Sequence, residues 1–353
     1  MQPITKTRIL WIPKSWKEFK DDPKLAYRTS NRLRAVNHHE FLQQHYQVNS
    51  DVLGITVQKP SFKHFDILVF QKNLIKTRKI TAFRRHANRI AVLDICDPID
   101  QEKTLSLNGM LDLVICSNHE LESVLQQQGL RVPTATIIDS HEADPSFSKK
   151  HTNAHLPLVT WYGVGANYEK FIAPLKRVLH NEKWIFRWAA ENDPKWTRFP
   201  DFESGIKWQL SINDAWQQKN SWQHFIQRSD IGIVPVFESV KSPHKILNYM
   251  AYGIPVICSP TDAHKRIITH GENGFFASTQ DEWEHYLTIL SQAEARQNID
   301  DKARKTVQRH YSPEISAKQY LNTLLDRFNQ KQTATKSRFF GMLKTSSLTK
   351  NIK

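Results

Sequence analysis

The chain has 353 residues, 39% of them apolar, with 49 Lys and Arg against 35 Asp and Glu, a formal net charge of +14. That length accommodates two domains with a core each, and the apolar share is ordinary for a soluble protein. No run approaches the ~18 apolar residues of a membrane span, and Met1 to Pro13 lacks the length and apolar centre of a secretory leader, so a cytoplasmic location is expected.

In chain order, Arg8 to Pro13, Val52 to Val57, Phe65 to Gln71, Arg89 to Cys96, Leu111 to Ser117 and Thr134 to Asp139 read as strands. Helical patterns lie between several of them, best seen in Asn31 to His45 and His119 to Gln128. This alternation predicts a parallel sheet wound on both faces. Ser30-Asn-Arg-Leu-Arg34 opens the first of these helices, and Arg32 or Arg34 can grip a phosphate bidentately or simply occupy a solvated face. His38, His39 and His45 lack a metal-site spacing, so no metal is expected. Asp94 and Asp97 stand at the carboxyl end of a strand, where open α/β sheets place functional groups; Asp97 reads equally as a cap of the next turn. Asn118 reads as a helix cap. Cys96, Cys116 and Cys258 are far apart, without a C-x-x-C spacing, and read as buried thiols.

After the polar stretch Asp144 to Ala154 the alternation restarts. Leu158 to Trp161, Trp184 to Trp188, Trp208 to Ile212, Ile231 to Val236 and Val256 to Cys258 form a second strand set, with helices at Tyr168 to Leu179 and Trp216 to Arg228. The fold class is therefore α/β, with two doubly wound parallel-sheet, Rossmann-like domains: 1–150 and 151–311. Gly163-Val-Gly165 allows close backbone approach to a ligand or an ordinary strand-to-helix turn, with Asn167 and Lys170 as its polar neighbours.

The stretch Asp230 to Cys258 reads as strand, loop, helix and second strand. Ile231 to Val236 is short, apolar and β-branched, as a strand buried on both faces is. Ser242-Pro243 supplies an N-cap and a proline at the first helical position. Ile246, Leu247, Met250 and Ala251 mark one apolar face, and Gly253 with Pro255 ends the helix. Lys245 falls in the first turn, where the macrodipole disfavours a cation by roughly 0.3–1 kcal/mol. An anion bound there reverses that sign, so a diphosphate site is expected at Ser242, His244 and Lys245.

The run Lys245-Ile-Leu-Asn-Tyr-Met-Ala-Tyr-Gly-Ile-Pro-Val-Ile257, followed by Gly271-Glu-Asn-Gly-Phe-Phe276, resembles the donor-binding half of retaining GT-B glycosyltransferases of the group 1, family 4 type. The resemblance implies a nucleotide-sugar donor held by the C-terminal domain, an acceptor bound by the N-terminal one, and no cofactor or obligatory metal. It assigns catalytic roles to Asp97, Glu238 and Lys245, donor binding to Gly163, Gly165, Asn167, Lys170, Ser242, His244, Asn248, Asn273 and Gly274, and acceptor binding to Ser30, Arg32 and Arg34. Two features depart from the family pattern. Asn248 stands where the second of two spaced glutamates is usual, and the nearest candidate for the first, Glu238, is two residues out of register. The Gly-Arg…Lys-Gly pair has no clean counterpart.

Gln280 to Tyr311 is amphipathic and helical up to Pro313, and residues 312–329 resume as a helix that, by resemblance, returns to the first domain. Residues 330–353 hold six Lys or Arg and no acid, and predict a disordered basic tail. Phe339-Phe340-Gly-Met-Leu343 within it would suit an anionic membrane surface. Basic residues are otherwise spread through the chain without a compact motif, so nucleic acid is not an expected partner. The implied function is transfer of a sugar to a saccharide or lipid-linked acceptor in surface polysaccharide synthesis, peripheral to the inner face of the membrane. A non-turnover sugar- or nucleotide-binding partner subunit and a sugar-nucleotide epimerase remain alternatives.

Overall fold

The computed structural model describes residues 7–348 except 23–25, 27, 60, 73–76, 87, 145, 164–166, 192–205 and 209–221. It separates into two compact units, one running to Ile137 and resuming at Ser316, the other spanning Ile138–Ile315. The polar composition after Asp144 predicts a boundary near 150; the units divide instead at 137/138, because Ile138, Ala143 and Phe147 pack against the second unit's core.

In the first unit, β1 (Ile9–Ile12), β2 (Ser50–Val52), β3 (Ile67–Gln71), β4 (Ile90–Ile95), β5 (Leu113–Cys116) and β6 (Thr134–Thr136) form one sheet in the order β2-β1-β3-β4-β5-β6. Every pairing is parallel. The strands are apolar on both faces because both are covered: Ile67 and Val69 face one cluster, Leu68 and Phe70 the other. The predicted strand Val52 to Val57 ends at Val52, where Thr56 and Val57 turn back onto the Val52 carbonyl. The predicted helix from Asn31 spans Thr29–Tyr46 and takes π geometry over Arg32–Val36, burying Leu33, Arg34, Ala35 and Val36 in succession.

The C-terminal helix, Pro313–Leu348, belongs to this unit from Ser316 on. Ala317, Tyr320, Leu321, Leu324 and Phe328 pack with Ile9, Trp11 and Val69. The predicted disordered tail is a correction: the helix continues to Leu348. Anchored by its first turns, it extends at low cost. It is also held at Lys331, whose Nζ donates to the carbonyls of Arg84 and Arg89 and pairs with Asp112.

In the second unit, β7 (Leu158–Gly163), β8 (Ile185–Glu191), β9 (Ile206–Trp208), β10 (Ile231–Val234), β11 (Val256–Cys258) and β12 (Phe275–Phe276) are also all parallel. Their order is β12-β11-β10-β7-β8-β9. The order reverses between β7 and β10, and the crevice at the carboxyl ends of those two strands is where such sheets bind ligands. Of the predicted strand Trp208 to Ile212, residues 209–212 lie outside the described residues. The predicted helix Tyr168 to Leu179 is broken at Pro174 into Asn167–Phe171, a 3₁₀ turn and Lys176–Leu179.

Among the described residues, no helix is long and apolar enough to cross a membrane. Cys116 and Cys258 are buried as expected, whereas Cys96 is partly exposed at the end of β4.

Candidate functional site

The site of the second unit is built on the helix His244–Ala251. Its apolar face, Ile246, Leu247, Tyr249 and Met250, is fully buried. The helix comes close to β10 because residue 232 is glycine: a Cβ there would lie 2.6 Å from the Tyr249 ring. The N-terminus is capped within the protein. Ser242 Oγ accepts the His244 N–H at 3.3 Å and donates to Asp139 Oδ2 at 2.5 Å. Ser242 therefore caps the helix, as its place before Pro243 predicts, and His244 stands partly buried at the first helical position.

Lys245, one residue on, is placed differently. Its Nζ lies 5.5 Å from the Trp161 ring centroid and 5.8 Å from that of Tyr162. It also packs against the end of β7, since a Cβ on Gly163 would meet Nζ at 2.9 Å and Trp161 Cζ2 at 2.7 Å. Among the described residues no carboxylate forms an ion pair with it. Loss of hydration, helped by repulsion from Lys241, lowers its pKa to about 8. Aromatic faces compensate in part, each by about 0.5–2 kcal/mol. This ammonium sits at the switch point between β7 and β10.

Asn167 starts the short helix Asn167–Phe171, and the loop after β10 carries a charged cluster whose Lys241 acts on Lys245. Glu238 pairs with Lys170 and, at 3.6 Å, with Lys241. Those two lysines hold the Glu238 carboxyl below its usual range, the Lys170 hydrogen bond being the largest cause. Lys241, Trp161 and Tyr162 are the neighbours the sequence pattern missed. Lys241 carried a signal, a third basic residue within the same strand-end loops. Gly165 lies outside the described residues.

Three predicted donor contacts are corrected. Asn248 is fully buried, its Oδ1 accepting the Glu142 N–H at 2.7 Å and its Nδ2 donating to Tyr162 Oη at 3.2 Å. An amide can serve one donor and one acceptor at once, which a carboxylate cannot, so the residue suits this internal bridge. Asn273 accepts from Thr269 N and donates to the Ile267 carbonyl and Thr306 Oγ1, tying its own turn. Gly274 is a packing requirement, because a Cβ would sit 2.8 Å from Ile268 Cδ1 and 3.2 Å from the Val256 carbonyl.

In the first unit the predicted acceptor residues separate. Ser30 and Arg32 are partly exposed. Arg34 is fully buried: its Nε and Nη2 donate to Asp94 at 2.9 and 2.8 Å, and its Nη1 donates to the Ile137 carbonyl at 2.7 Å. Tyr320 Oη donates to the same carboxylate at 2.6 Å. Arg34 therefore ties the first helix, β4 and the C-terminal helix together, a correction to its acceptor role. Asp97 is half-exposed and paired with Lys72, which follows β3 in a left-handed conformation, φ 59°. Burial works to lower the Lys72 pKa, but the Cys96 thiol and the Asp97 carboxylate outweigh it and raise it. His38 and His39 are buried and bonded to Ser316 and Ser50. Among the described residues no group of three His, Cys, Asp or Glu is placed to hold a metal ion.

Known proteins match this arrangement. The family model described as "Glycosyl transferases group 1" matches residues 167–292. That segment is similar to the family over about a third of the chain. The whole chain has the GT-B fold of two Rossmann-like domains. It aligns with Anabaena HepE in complex with UDP at 15% identity over 91% of this chain and 100% of that one, TM-score 0.59. Sucrose-phosphate synthase from Thermosynechococcus elongatus aligns at 12% identity over 92% and 100%, TM-score 0.67. The lipopolysaccharide outer core galactosyltransferase WaaB aligns at 13% identity over 91% and 100%, TM-score 0.56. No curated protein sequence matches the chain.

Proposed function

We propose that this glycosyltransferase-fold chain moves a sugar from a nucleoside diphosphate sugar to a saccharide or lipid-linked acceptor, with retention and without a metal or cofactor. The observation that carries the reading is Lys245: an ammonium stripped of hydration at the β7/β10 switch point, against Gly163, with aromatic rings beside it and, among the described residues, no carboxylate paired to it. A leaving diphosphate supplies the missing charge, and a fixed cation aimed at charge that develops during bond cleavage lowers the barrier most effectively in a water-poor site. Lys170 and Lys241 add positive potential, the work a divalent cation does in other transferases. UDP in the HepE complex makes uridine the first base to try. Asp97, held by Lys72 at a strand end, is the carboxylate we assign to the acceptor hydroxyl, and Ser30 and Arg32 are the acceptor contacts left on the first helix. Cytoplasmic residence at the inner face of a membrane, in surface polysaccharide synthesis, follows as the setting for a lipid-linked acceptor.

The reading of a non-turnover partner subunit draws on Asn248, which the protein engages internally where a ribose-binding carboxylate is usual. A panel of nucleotide sugars separates the two. Release of nucleoside diphosphate that Lys245→Ala abolishes supports the transferase; nucleotide binding without release from any donor supports the partner subunit.

A further inference from the structure

We propose that Glu238 is the resident counter-ion of the lysine cluster, holding between Lys170 and Lys241 a place that a phosphate group of the donor takes over. This rests on the diphosphate reading of the same site. Glu238 bridges lysines from two elements, Lys170 on the helix after β7 and Lys241 on its own loop after β10. Both loops leave the strands that flank the switch point. Lys241 also acts electrostatically on Lys245, so the cluster holds three ammonium groups, two of them paired with Glu238. That carboxylate is about one-third exposed and Lys170 more than half exposed, so solvent screening keeps their ion pair weak. A diphosphate brings more negative charge than one carboxylate and outcompetes it at small cost. Glu238 is then a group the donor displaces, not one that grips the sugar, which accounts for a position out of register with the family's first glutamate.

The two roles predict opposite signs. Calorimetric titrations with inorganic pyrophosphate and with UDP, at low ionic strength, compare the parent with Glu238→Gln. The proposal expects both probes to bind about three- to tenfold more tightly to the variant, an effect that shrinks with added salt. It also expects this gain to vanish when Lys170→Met is added, and thermal unfolding to be unchanged in Glu238→Gln. Unchanged or weaker binding overturns the proposal, as does a gain that survives Lys170→Met. Lys245→Ala separates failures: if the parent binds UDP through Lys245 and Glu238→Gln brings no gain, only this proposal falls. If neither the parent nor Lys245→Ala binds UDP, the diphosphate reading falls with it.

Discussion

Arg34 in the first unit, fully buried, and Lys245 in the second, partly buried with its ammonium against aromatic rings, are cations on helices that pack against a parallel sheet, and they have opposite surroundings. Arg34 meets Asp94 in a two-point pair and a backbone carbonyl. Lys245 meets two aromatic rings, a glycine and a neighbouring lysine. A buried cation with its carboxylate supplied is scaffold, because nothing is gained by exchanging that partner for a ligand. One left without a carboxylate carries a desolvation cost that its aromatic neighbours offset in part and an added anion relieves further.

Breaking the first arrangement gives the largest effect. Arg34→Met leaves the Asp94 carboxylate buried without its guanidinium and is expected to cost about 3–5 kcal/mol in denaturant unfolding. Asp94→Asn, which strands the guanidinium, costs a comparable amount. Lys245→Ala is expected to weaken UDP binding by about 10- to 100-fold, the worth of a charge-assisted hydrogen bond of ~1.5–3 kcal/mol. Its unfolding free energy is expected to change little, because the lost ring contacts are offset by relief of the ammonium's desolvation. A variant of Arg34 that kept full stability, or of Lys245 that kept full UDP affinity, would erase the contrast. Asn248→Ala removes the partners of Glu142 N and Tyr162 Oη and is expected to cost about 1–3 kcal/mol in stability. Gly163→Ala pushes a methyl against Trp161 and Lys245 Nζ and is expected to lower UDP affinity severalfold, about 1 kcal/mol, with the fold intact.

The fold was legible because both sheets are buried on two faces, which writes itself as short β-branched runs between amphipathic helices. The β10–helix–β11 segment was legible down to its glycine and proline. Side-chain partners were not. Arg34 reads as a phosphate grip until Asp94, 60 residues away, is brought to it. Asn248 reads as a ribose contact until Glu142, 106 residues away, donates to its amide. Lys245 was readable for the opposite reason: its significance is local, a cation placed at the wrong end of its own helix dipole. The tail failed on composition, since a charged, weakly apolar stretch reads as disordered unless the packing of Tyr320 and Leu324 upstream is known.

The proton balance of nucleotide binding tests the central claim most directly. In the free protein Lys245 loses its proton near pH 8, and a bound diphosphate raises that value by favouring the charged form. Between the two values binding must draw a proton from solution, and above pH 8 affinity falls up to tenfold per unit. Calorimetric titration of UDP at pH 8.5, in two buffers of different ionisation enthalpy, is predicted to show uptake of up to about three-quarters of a proton in the parent and none in Lys245→Met. Binding of equal strength with no proton uptake in either protein would contradict the assignment of this lysine to the diphosphate.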